Sequence, residues 1–116
     1  NEIKEETIIN LDFVKNLKDF FDKIDILITP ISAGSGSRIK ILEALGFGKK
    51  IISSQIGAEG INLNTDLISI CDTPQDYIDE IKKFKHSNID YNKEKQNISQ
   101  LSWSNIFKDY LNKINE

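Results

Sequence analysis

The sequence predicts an α/β fold in which a parallel sheet carries helices on both faces. Three observations lead there. Short β-branched or apolar runs alternate with stretches of helical period, the pattern from which strand, helix, strand units are built. The run ILIT, residues 26–29, is apolar without alternation, as strands covered on both faces are. A glycine and serine loop, ISAGSGS, separates that run from a helical pattern, at the carboxyl end of a strand where open parallel sheets bind their ligands.

Taken in order, TIINL at residues 7–11 is β-branched and expected as a strand, and DFVKN links it to LKDFFDKI. There Leu17, Phe20, Phe21 and Ile24 recur at helical spacing. ILIT is the second strand, ended by Pro30, which lacks the N–H a ladder needs. From Arg38 to about Gly46 the pattern RIKILEALG reads as a helix, with Ser37 placed to cap it and Gly46 and Gly48 to stop it. KIISS is the third strand, and after QIGAEGINLNTD the run LISIC is the fourth. Thr73 and Pro74 then suit the cap and first turn of a helix carrying Tyr77, Ile78, Ile81 and Phe84 on one side. KHSNIDYNKEKQN is expected to turn into another helix, and SWSNIFKDYLNKI to end the chain as an amphipathic helix led by Ser102. There is no internal repeat and no low-complexity segment.

The bulk composition bounds the function. At 116 residues the chain fits one domain or part of one, and 39% hydrophobic with 28% charged residues places it among globular proteins. A net charge of -3 and a pI near 5.2 give no basic footprint for nucleic acid or anionic lipid. Cys71 is the only cysteine; it is expected as a small buried hydrophobe in a reducing compartment. With no secretory leader and no apolar run near the roughly 20 residues that cross a bilayer, a cytoplasmic location is expected, membrane association being left to parts not present. The opening NEIKEE lacks an initiator methionine, as a piece of a longer protein would.

The chemistry concentrates between residues 34 and 43. Gly34 and Gly36 let a ligand approach the backbone, and the free N–H groups at the start of the following helix favour an anion such as a phosphate. Ser35 and Ser37 add hydroxyl donors, although a plain tight turn reads the same way. Arg38 is the only arginine. A cation in the first turn opposes the helix dipole, so Arg38 is either an anion contact or a surface side chain. Glu43 is the only polar side chain in ILEALGFG, and a carboxylate on an apolar helix costs free energy unless partnered. Lys40, three residues earlier, is one partner. A ligand is the other: Glu43 lies about 9 Å along the axis from Ser37 at a rise of about 1.5 Å per residue, within reach of a ribose whose diphosphate sits at the helix start.

Beyond this loop, Gly57, Glu59 and Gly60 follow the third strand and fall on the same side of the sheet as the glycine loop, Glu59 being a contact to the ligand or to another domain, or solvated. His86 reads as a surface residue and Trp103 as an anchor against the sheet body. Asp12, Asp22 and Asp25 lack metal-ligand spacing, and no Cys/His cluster or nucleophile, histidine and acid set can be assembled. No metal, cofactor or catalytic residue is assigned.

The segment DILITPISAGSGSRIKILEALGFGKKIISSQIGAEGI resembles the C-terminal domain of nucleotide-sugar glycosyltransferases of the GT-B fold, the large retaining family called group 1. TIINLDFVKNLKDFF and LSWSNIFKDYLNKI resemble its flanking elements. The resemblance implies a Rossmann-like sheet, here an incomplete half of a GT-B fold: residues 1–116 would be a partial donor-binding domain without its first strand and helix units. In that family two glutamates frame the donor, the second binding the ribose and the first approaching the sugar; Glu43 stands at the second place and Ser35 at the first. The implied substrate is a nucleotide diphosphate sugar, bound by Gly34, Ser35, Gly36, Ser37, Arg38, Glu43, Gly57 and Glu59. The acceptor and the catalytic assistance would belong to a missing N-terminal domain, leaving this chain inactive alone and able to form a homodimer. The alternative is a non-catalytic flavodoxin-like module for a phosphate-bearing cofactor or a protein.

Overall fold

The computed structural model describes residues 8–11, 14–32, 37–61, 65–86, 93, 94, 96, 98 and 103–114. Along the chain these give α1 (Leu17–Asp22), β1 (Ile26–Thr29), α2 (Ser37–Gly46), β2 (Lys50–Ser53), β3 (Ile68–Ile70), α3 (Pro74–Lys85) and α4 (Trp103–Ile114). Lys93, Glu94, Gln96 and Ile98 are helical as well, where a further helix was expected. The strands lie in the order β1-β2-β3 with both pairs parallel. The sheet is therefore parallel, as the alternation of elements predicts, and Rossmann-like, as the resemblance implies.

Register decides which side chains share a face. Leu27, Ile51 and Ile68 are partners in adjacent strands and so point the same way. Ile51 belongs to the principal core with Phe21, Ile41, Ala44, Leu45, Ala58, Leu67 and Ile98, against which Leu27, Ile68 and Trp103 pack. That face carries α2, and Trp103 is the expected anchor. The neighbouring positions turn to the other face. There Lys50 meets Glu80 of α3, their charged atoms 3.9 Å apart. Helices thus cover both faces.

Local sequence explains the ends of the helices. Asn16 caps α1 by accepting from the Asp19 N–H at 3.1 Å, and Thr73 does the same for α3 through Asp76, with Pro74 in the first turn. Gly48 has φ 71° and donates to the Leu45 carbonyl at 2.8 Å, while Lys49 donates to that of Ala44 at 3.0 Å. This paired arrangement is the Schellman ending, in which glycine alone is unstrained. The stop expected at Gly46 and Gly48 is thereby made by Gly48, Gly46 remaining the last helical residue.

Three expectations are corrected. Ile8–Leu11 form no strand and are exposed, Ile9 at 80%; a β-branched run gains its strand only from a hydrogen-bonded neighbour, and none of the described strands pairs with it. LISIC forms the third strand of the described sheet, not a fourth, with Leu67 and Cys71 just outside it. The helix expected from Arg38 starts at Ser37, which sets Ser37 inside the first turn instead of ahead of it.

Candidate functional site

The carboxyl ends of the strands are bound together by one turn, residues 54–60. Ser54 is its hub. Its N–H donates to the Thr29 carbonyl at 3.2 Å, its hydroxyl donates to the Ile31 carbonyl, and the same oxygen accepts from the Gly57 N–H at 3.0 Å. Within the turn, Ala58 donates to Ser54 at 3.2 Å and Glu59 to Ile56 at 3.2 Å. The Gln55 N–H reaches the Asp72 carboxylate beyond β3 at 3.2 Å. Gly57 fits because it has no side chain: a Cβ there would lie 2.6 Å from Ser53 Oγ and 3.1 Å from the Thr29 carbonyl oxygen.

Arg38 reaches across to this turn from the first turn of α2. Its Nε donates to the Glu59 carbonyl at 2.8 Å, and its Nη2 donates to the Ile56 carbonyl at 3.3 Å and to Glu59 Oε2 at 3.2 Å. The Arg38 side chain is 14% exposed and that of Glu59 72%. Arg38, Gly57 and Glu59 are thus brought together, 21 residues apart along the chain at their widest.

Glu43 is set elsewhere. Five residues along a helix amount to about 140° beyond a full turn at 3.6 residues per turn, so Glu43 turns away from Arg38. It is half-buried and, with Lys40, borders an open cavity of about 550 Å³ walled by Val14, Leu17, Phe20 and Leu27 among others. Among the described residues its carboxylate has no hydrogen-bond or ion-pair partner, Lys40 included. The helical salt pair is not formed. Gly34, Ser35 and Gly36 lie outside the described residues, and Ser37 is placed by its backbone alone.

A second hollow, about 640 Å³, opens between β1 and α3 and is bordered by Ile28, Ile31, Ile56, Asp72, Tyr77 and Ile78. Tyr77 Oη is buried without a hydrogen-bond partner among the described residues, as is Thr29 Oγ1; burial raises the Tyr77 phenol above its ordinary range. Burial also raises the Cys71 thiol, helped by the nearby Glu80 and Asp76, which makes it the inert core cysteine the sequence predicts.

Sequence reasoning missed two features. Ser54 as hub carries no local signal, since serine at a strand end is ordinary. Lys50 is the other: although it begins β2 at the opposite end from the turn, it is only 5% exposed, donating to the Asp66 carbonyl at 3.0 Å and Ser69 Oγ at 2.7 Å. Among the described residues no cluster of histidine, cysteine and acidic side chains could hold a metal ion, and no helix is long and apolar enough to cross a membrane.

Comparison with known families gives one result: the model of the family described as "Glycosyl transferases group 1" matches residues 1–86. No curated protein and no solved structure matches the chain.

Proposed function

The chain belongs to the group 1 glycosyltransferases, and on that premise we propose that it forms the donor-binding part of an enzyme that moves a sugar, with retention, from a nucleotide diphosphate sugar to an acceptor. In this reading the diphosphate sits at the start of α2 beside Gly34, Ser35, Gly36 and Ser37. Free N–H groups and the positive end of the helix stabilise the leaving group as its negative charge develops. Glu43 accepts hydrogen bonds from the ribose hydroxyls, while Gly57 and Glu59 border the donor from the turn after β2. The acceptor is bound mainly by a separate domain.

What supports this reading beyond family membership is Glu43, a half-buried carboxylate at the wall of a largely apolar cavity with no partner among the described residues. A carboxylate held there is placed to accept hydrogen bonds from a ligand. A module that only grips a phosphate has no need of it.

The test is calorimetric titration of the intact transferase with uridine, guanosine and adenosine diphosphates. Glu43→Ala removes hydrogen bonds to a charged group, worth about 1.5 to 3 kcal/mol, so the nucleotide that binds wild type should bind about ten- to a hundredfold more weakly. Lys40→Ala should stay within about twofold. Equal, small effects would sink the ribose role, and sugar transfer from any activated donor would exclude the non-catalytic module.

A further inference from the structure

Arg38 sits where an anion-binding arginine would, yet its hydrogen bonds run to protein. Two backbone carbonyls and one carboxylate, all from Ile56 and Glu59, take its Nε and Nη2. A guanidinium can hold such spread acceptors because its donors are fixed in a planar fork; a lysine ammonium is a single point that cannot span them. The far side of the same turn is tied through Ser54 to the Thr29 and Ile31 carbonyls and through Gln55 to Asp72. Arg38 adds a tie to another element, joining the turn to the first turn of α2.

We propose that Arg38 is a positioning residue: it sets the 54–60 turn against the first turn of α2, and acts on the donor through that turn, with no contact of its own to the diphosphate. The proposal rests on the reading of these strand ends as the donor site. Two consequences separate it from direct contact. The charge alone is insufficient, so lysine should not substitute. Glu59 is also a partner in the clamp and not a competitor for Arg38, so neutralising it should not improve anion binding.

The experiment compares wild type, Arg38→Lys, Arg38→Ala and Glu59→Gln of the intact transferase in two measurements: titration with uridine, guanosine and adenosine diphosphates, and hydrogen exchange of the segment 54–61 against that of β2. Both arginine variants should bind the nucleotide more than fivefold more weakly, and exchange in 54–61 should quicken at least tenfold while β2 is unchanged. Glu59→Gln should bind no more tightly than wild type. Lysine binding within twofold of wild type, weaker binding with unchanged exchange, or tighter binding by Glu59→Gln would each overturn the proposal. If wild type binds none of the three nucleotides, the donor-site reading fails by itself, and the exchange of 54–61 still decides whether Arg38 holds the turn.

Discussion

Lys50 shows how a single burial couples this fold to pH. Removal from water lowers its ammonium pKa below the ordinary 10.5, against the opposing fields of Glu80 and Asp66. In the unfolded chain the proton stays on to that ordinary value. Between the lowered and the ordinary value the unfolded state therefore binds more protons, and stability due to Lys50 rises with pH; below the window the burial cost is fully present. Urea unfolding of wild type and Lys50→Met at several pH values up to 10.5 should show wild type gaining on the variant as that window is crossed. A difference that stays constant with pH would defeat this account. At the site itself, the side chain of Arg38 and the missing one of Gly57 serve the same turn, one by holding it and the other by leaving it room.

Among the elements, α3 depends most visibly on its cap. Its amphipathic face is only half-buried, with Ile78 45% exposed, so packing contributes less than usual and the terminus matters more. Thr73 accepts from the Asp76 N–H at 3.1 Å. Thr73→Ala should lower stability by about 1 kcal/mol while Thr73→Ser stays close to wild type, read as shifts of the denaturation midpoint; an alanine variant as stable as wild type would show the cap to be idle. The start of α2 is a different case, because its first turn is fastened to the 54–60 turn by Arg38. The helix was legible in RIKILEALG, as local patterns are. Its fastening to the turn was not, since nothing in a local pattern aims residue 38 at residue 59.

For the whole molecule, the outer edge of β1 matters most. Among the described residues no strand pairs with it, Ile28 on that strand is 42% exposed, and Ile8, Ile9 and Leu11 are exposed at 62%, 80% and 61%. Open backbone donors and acceptors beside apolar side chains are a template for another chain. The 116-residue chain by itself should therefore associate, its mean mass by light scattering rising with concentration, and it should transfer no sugar. A monomer at every concentration would refute the first expectation, and turnover by the isolated chain the second.

The sequence by itself determined where β1, β2, β3 and α2 lie, because continuous apolar runs, a proline and a left-handed glycine act within a few residues of themselves. It also marked the candidate site, Glu43 above all, since an acid inside ILEALGFG is conspicuous without any structure. Only the tertiary structure decided that Glu43 goes unpaired by Lys40, that Arg38 meets Glu59, that Lys50 is buried, and that Ile8–Leu11 remain outside the sheet. These outcomes depend on hydrogen bonds spanning 16 to 23 residues and on which strand edge finds a neighbour. Register and packing set them, and no local pattern encodes either.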